Sequence, residues 1–146
     1  MKKSTSWGKV ANWYNNLLEK EGTYQKTLIL PNILKLIQIK NGEVVLDLGC
    51  GQGFFCREFS KHGAKVIGVD ISKELIDLAK KHRNNSAMNQ SNNYNSPTIE
   101  YHAAPADNLS FIKNKTIDKI IIILSLQNIE NTDGVIKECC RVLKPN

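Results

Sequence analysis

A strand that runs into three closely spaced glycines constrains the fold of this chain more than any other feature. Residues Val44 to Phe55 read Val-Val-Leu-Asp-Leu-Gly-Cys-Gly-Gln-Gly-Phe-Phe. The apolar run Val44 to Leu48 predicts a buried strand. Gly49, Gly51 and Gly53 then allow a turn whose backbone can approach a ligand closely. A helix from Gly53 to Lys61 stops near Gly63, and a second strand, Lys65 to Asp70, ends in an acid. Strand, helix and strand in that order argue an α/β fold with a doubly wound, parallel sheet. In such sheets ligands bind at the carboxyl ends of the strands, where the glycine turn and Asp70 both lie.

The alternation continues downstream. Ser72 is suited to cap a helix through about His82, with Leu75, Ile76, Leu78 and Ala79 inward. Thr98 to Ala103 predicts a third strand. Ile117 to Leu124 predicts a fourth, buried on both faces by its composition. Asn131 or Thr132 caps a last helix with Val135, Ile136, Cys139, Val142 and Leu143 inward, and Pro145 stops it. Arg83 to Ser96 is polar and rich in Asn, and reads as a long loop. Two amphipathic helices are expected ahead of the first strand. One runs from Trp7 to Glu21, with Val10, Trp13, Tyr14, Leu17 and Leu18 at helical spacing. The other runs from Tyr24 to Ile39, with Leu28, Ile29, Leu30, Ile33, Leu34, Leu36 and Ile37 apolar and a kink or fresh start at Pro31.

Composition removes several function classes. The 146 residues, 41% hydrophobic and 23% charged, suit one globular domain. The net charge of +6 comes from lysines spread along the chain, with arginine only at Arg57, Arg83 and Arg141. No basic cluster is interleaved with aromatics, so nucleic acid is not the expected partner. Cys50, Cys56, Cys139 and Cys140 form no Cys-x-x-Cys pair, and no His stands at zinc spacing from them. No metal is expected, and reduced cysteines fit a cytoplasmic setting. The longest apolar run, Ile120 to Leu124, is too short to span a bilayer, and residues 4–9 hold no apolar signal segment.

The glycine turn also selects among ligands. A dinucleotide fingerprint reads Gly-x-Gly-x-x-Gly; here Phe54 stands where its last glycine belongs. A pyrophosphate favours an electropositive helix N-terminus, whereas Asp47 brings negative charge to the strand end. That combination suits a ligand with an ammonium group and no phosphate, and disfavours a nicotinamide-dependent oxidoreductase.

Asp47-x-Gly49-x-Gly51-x-Gly53 resembles the first motif of class I S-adenosylmethionine-dependent methyltransferases. Asp70 is similar to the ribose-binding acid of that family, and Ala104-Pro-Ala-Asp107-Asn108-Leu to its adenine segment. Ile117-Asp118 through Ile129 resembles the fourth-strand motif. Arg141-Val-Leu-Lys-Pro145 resembles the Arg-Val-Leu-Lys-Pro-Gly signature of the small-molecule, ubiquinone/menaquinone-biosynthesis-like branch. Trp7 to Tyr14 is similar to that branch's opening.

The resemblance implies a Rossmann-like sheet in the order 3-2-1-4, with strands five to seven of the full fold missing here. It implies N-terminal helices over the pocket in residues 1–40 and an S-adenosyl-L-methionine-binding domain in 41–146. The implied cofactor set is Asp47, Gly49, Cys50, Gly51, Gly53, Asp70, Ile71, Ala106, Asp107, Asn108 and Leu126. Asp47 would help hold the ammonium end, Asp70 both ribose hydroxyls and Asp107 the adenine amino group, while Ile71 and Leu126 would pack the adenine and sulfonium arm.

Methyl transfer from a sulfonium is an in-line displacement, so the fold demands alignment and no particular catalytic residue. His102, His62, His82, Gln127, Asn128, Tyr14 and Tyr24 are the polar candidates near the crevice. Leu124-Ser-Leu-Gln-Asn-Ile lacks the Pro-Pro-aromatic pattern of enzymes that methylate adenine or amide nitrogens, which favours a small-molecule acceptor. The chain is read first as a fragment. A split enzyme completed by another chain, or a non-catalytic module pairing with a partner or its own copy through an open fourth strand, are the alternatives.

Overall fold

The chain alternates helix and strand as α1 (Ser6–Glu19), α2 (Leu30–Ile37), β1 (Val44–Leu48), α3 (Phe54–Lys61), β2 (Lys65–Asp70), α4 (Lys73–Met88), β3 (Ile99–Ala103), β4 (Lys119–Ile121) and α5 (Thr132–Val142). A π-helical turn, Gln25–Ile29, leads into α2, and a 3-10 turn, Leu126–Asn128, precedes α5. The computed structural model describes residues 6–88 and 98–145, and their side chains except at 6–9, 14, 19 and 86–88. The side chains of Trp7 and Tyr14, and the expected loop from residue 89 to 96, lie outside the described residues.

All strand pairs are parallel, and the order is β3-β2-β1-β4. This is the expected order. Alternate strand residues point to opposite faces and so feed two apolar layers. Val45, Val66, Ile99, Tyr101 and Ile121 meet Phe59 of α3 and Ile76 and Ala79 of α4. Leu46, Leu48 and Val69 meet Val135, Cys139 and Val142 of α5, with Leu109 and Ile112 from the β3–β4 connection. Phe59, Leu46 and Leu48 are wholly buried, each stabilising the fold by about 1.5–3 kcal/mol.

Several boundaries differ from expectation for physical reasons. α4 continues to Met88 instead of ending near His82. Arg83 Nη1 donates to the Ile99 carbonyl at 2.8 Å, and His82 Nε2 lies 2.7 Å from Asn15 Oδ1 of α1, so two contacts hold the helix past the expected stop. Asn84 and Asn85 are tolerated because both face solvent. β4 keeps only three residues of the expected eight. Leu124 adopts φ 53° and turns the chain away, and Ile117 instead bridges Leu143. Ile136, expected inward, is exposed, and so are Leu28 and Leu36 of the apolar set of the second helix.

Candidate functional site

The glycine turn is laid directly on the end of β2. Gly49 N–H and Cys50 N–H both donate to the Val69 carbonyl, at 2.7 and 3.0 Å, and Gly51 N–H donates to Asp70 Oδ2 at 2.9 Å. Gly49, Gly51 and Gly53 take φ 76°, 55° and 78°, which side chains strongly disfavour. Two of them are also required by packing. A Cβ on Gly49 would lie 2.4 Å from Ser125 Cβ, and one on Gly53 would lie 2.3 Å from the Tyr101 hydroxyl.

Asp70 is the hinge of this arrangement. Its Oδ1 accepts from Ser72 N–H at 2.8 Å while its Oδ2 holds Gly51. Burial raises its pKa, opposed by those two N–H donors. Each oxygen keeps a lone pair for a further donor. Ser72 also starts α4 as expected, with its Oγ accepting from Leu75 N–H at 3.3 Å. Ile71, beside Asp70, is 57% exposed and presents an apolar side chain to solvent.

Asp47 lies beneath the turn rather than on its surface. It is 1% exposed, and Oδ2 accepts from the Cys56 thiol at 3.2 Å. Burial raises its pKa to about 7. Burial likewise raises the Cys50 and Cys56 thiols above their ordinary range. Such thiols are weak nucleophiles, which marks them as packing residues. Gln52, wholly buried in the turn, has no hydrogen-bond partner for its amide, and neither does the buried Tyr101 hydroxyl.

The remaining residues come from the β3–β4 and β4–α5 connections. Asp107 Oδ2 accepts from Asn131 Nδ2 at 2.7 Å, and Asn131 in turn caps α5 by accepting from Gly134 N–H at 3.1 Å. Ala106 packs into the α5 layer, and Asn108 is exposed. Leu126 is 38% exposed at the 3-10 turn. Ser125 Oγ donates to the Leu48 carbonyl at 3.0 Å, which ties this turn to the strand under the glycines.

Residues 46–146 match the family described as the methyltransferase domain. The chain belongs to the methyltransferase-domain family. It is 36% identical over 121 residues to the ubiquinone biosynthesis O-methyltransferase of Coxiella burnetii, covering 81% of this chain and 47% of that one. It is 33% identical over 111 residues to the demethylmenaquinone methyltransferase of Tropheryma whipplei, covering 76% of this chain and 41% of that one. This methyltransferase domain spans about half the length of the relatives it matches. The crystal structure of a putative S-adenosyl-L-methionine-dependent methyltransferase from Methanococcus maripaludis shares its fold, with a TM-score of 0.73 at 21% identity over 94% of this chain and 59% of that one.

Within the methyltransferase domain, the structure does not bring the histidines to the glycine turn. His102 stacks on Phe111, with ring centroids 4.4 Å apart, beside a cavity of about 190 Å³ that shares no residue with the turn. His62 ends α3, and His82 meets Asn15. Gln127 Nε2 donates to the Leu124 carbonyl at 2.8 Å and so supports its own turn. Tyr24 is 77% exposed. Among the described residues, no group of three or more His, Cys, Asp and Glu could hold a metal ion.

Sequence reasoning missed Ser125, Gln52, Tyr101 and the partners of Arg141. Arg141 Nε and Nη2 each lie 2.7 Å from a Glu138 carboxylate oxygen, and the guanidinium also donates to the Leu109 and Ile112 carbonyls. This fork ties the methyltransferase domain's last helix to the connection carrying Asp107. The Arg-Val-Leu-Lys-Pro stretch signalled the family but gave no hint of that contact.

Proposed function

We propose that this chain is the cofactor-binding part of an S-adenosyl-L-methionine-dependent methyltransferase that acts on a small molecule. The carrying observation is Asp70, which gathers the Gly51 and Ser72 amides at the end of β2 and keeps a lone pair on each oxygen. That arrangement fits a ribose diol held beside a turn without side chains. Ile71 and Leu126 offer apolar surface to the adenine and the sulfonium arm. Asp107, Ala106 and Asn108 would meet the base. The bound cofactor would supply a methyl group activated by its sulfonium.

Asp47 fits a direct ammonium contact poorly, because Cys56 and the turn enclose it. Its role is to support Gly49, Cys50, Gly51 and Gly53 from below. Residues 41–146 form the cofactor domain in this reading, and the helices of residues 1–40 cover the pocket. The two relatives named for ubiquinone and menaquinone chemistry support a small-molecule acceptor. The four free cysteines support a cytoplasmic setting.

Calorimetric titration of the purified chain with S-adenosyl-L-methionine, and with NAD as control, tests this reading. Saturable heat with the sulfonium cofactor alone is expected. Folded protein that gives none overturns it.

A further inference from the structure

Among the described residues, three other than glycine hold a positive φ: Gln38 at 43°, Lys115 at 55° and Leu124 at 53°. Two of them stand where such a backbone is ordinary. Gln38 caps the end of α2, with its N–H on the Leu34 carbonyl. Lys115 is an exposed polar residue in a turn. Leu124 follows β4, and for so bulky a side chain this conformation is an outlier. The backbone bend itself has a clear use. It carries Ser125 onto the Leu48 carbonyl, at 3.0 Å, and beside Gly49. The leucine side chain has no part in that. Glycine or asparagine would make the same bend with less strain. Leu124 is also 61% exposed, so the core gains little from it. The bend lies at a particular place in the sheet. β2 and β3 add on one side of β1 and β4 on the other, which makes the carboxyl ends of β1 and β4 the switch point where open α/β sheets take ligands. An outlying backbone kept at such a place, with a residue type the fold does not require, points to function.

We propose that Leu124 is a specificity residue for the methyl acceptor, and that its side chain packs against an apolar ring of that molecule. The inference deepens the cofactor reading above and rests on it. Ser125 fixes the placement. It stands against Gly49 of the glycine turn, and Leu126 beyond it is the residue read as packing the sulfonium arm. Leu124 therefore belongs to the corner that an acceptor must enter to reach the methyl group. A wholly polar acceptor would gain nothing from a leucine there, whereas a ring removes its apolar surface from water.

Calorimetric titration of 2-naphthol, an apolar ring system with one hydroxyl, into the chain saturated with S-adenosyl-L-homocysteine tests it. The wild-type chain is expected to bind the probe saturably. L124N, which accepts the same φ, should bind it about tenfold more weakly. L124M, which keeps an apolar side chain, should bind it as the wild type does. Thermal melts separate this role from a structural one. L124N should melt no lower than the wild type, because the strain is relieved and little burial is lost. Failure of the cofactor-saturated chain to bind 2-naphthol overturns the proposal. So does equal affinity in L124N, a lowered melting temperature in L124N, or a dimer in sedimentation that L124N breaks. Absence of S-adenosyl-L-homocysteine binding by the folded wild-type chain overturns the cofactor reading, and this inference with it.

Discussion

The Cys56 thiol donates to Asp47 Oδ2 across 3.2 Å beneath the glycine turn, with neither residue more than 1% exposed. A carboxyl in that position prefers its proton. Burial raises it to about 7 from an ordinary 3.8. Between those values the folded chain keeps a proton that the unfolded chain has released. This contribution to stability is therefore full below about pH 4, falls as the pH rises toward 7, and is lost above it. Asp47→Asn should flatten that part of the profile, a change on the order of a few kcal/mol across the window. Urea midpoints of both proteins between pH 4 and pH 8 measure it, and parallel profiles would count against the buried carboxyl.

Gly49→Ala should destabilise the chain by about 2 kcal/mol or more, because the new Cβ meets Ser125 Cβ and the backbone holds φ 76°. Ser125→Gly removes the colliding atom. The double variant should therefore regain part of the loss, the remainder being the backbone strain. Thermal melts of the two single variants and the double variant give the coupling. Strict additivity would show that Ser125 does not press on the turn.

Asp70→Ala should weaken S-adenosyl-L-methionine binding by about 1–3 kcal/mol. It also frees the Gly51 and Ser72 amides, so Asp70→Asn, which keeps one acceptor oxygen, should lie between. Calorimetry orders the three proteins. Equal affinities would remove Asp70 from the site.

Arg141→Lys keeps the charge and loses the fork that holds Glu138 and the Leu109 and Ile112 carbonyls. The connection carrying Asp107 should loosen without global unfolding. Hydrogen exchange reads this directly: the amides of Leu109, bound to Glu138, and Ile112 should exchange faster, while those of β1 stay protected. Uniform change across both regions would point to a general loss of stability instead.

The parts legible from the chain alone were those where one periodic signal dominated. Val44–Leu48, the three glycines and Lys65–Asp70 announce a buried strand, a turn and a second strand, and their alternation with helices argues a parallel sheet, whereas the order 3-2-1-4 was implied by the family resemblance alone. Composition misled where tertiary contacts overrode it. Asn84 and Asn85 read as loop residues, yet Arg83 anchors their helix to β3. Ile117–Leu124 reads as one long strand, yet Leu124 leaves the ladder to bring Ser125 over the Leu48 carbonyl.

The candidate site was legible as a list and not as an arrangement. Asp47 carries the same letter whether it faces a ligand or a thiol, and only the position of Cys56 across the turn decides. Asp107 likewise meets Asn131, which stands 24 residues further on. Ser125, Gln52 and Tyr101 belong to no pattern with a chemical meaning of its own. Their importance comes from contact with the glycines or from a missing hydrogen bond.

The two backbone amides gathered by Asp70 bear on the thermodynamics of recognition. A loop that is disordered until its ligand arrives loses chain entropy at that moment, and its affinity falls accordingly. Here the Gly51 and Ser72 amides are already fixed, so little chain ordering remains for an incoming molecule to drive. Cofactor binding at this corner, as proposed, would then approach rigid docking, with the signature of surface burial and little of coupled folding.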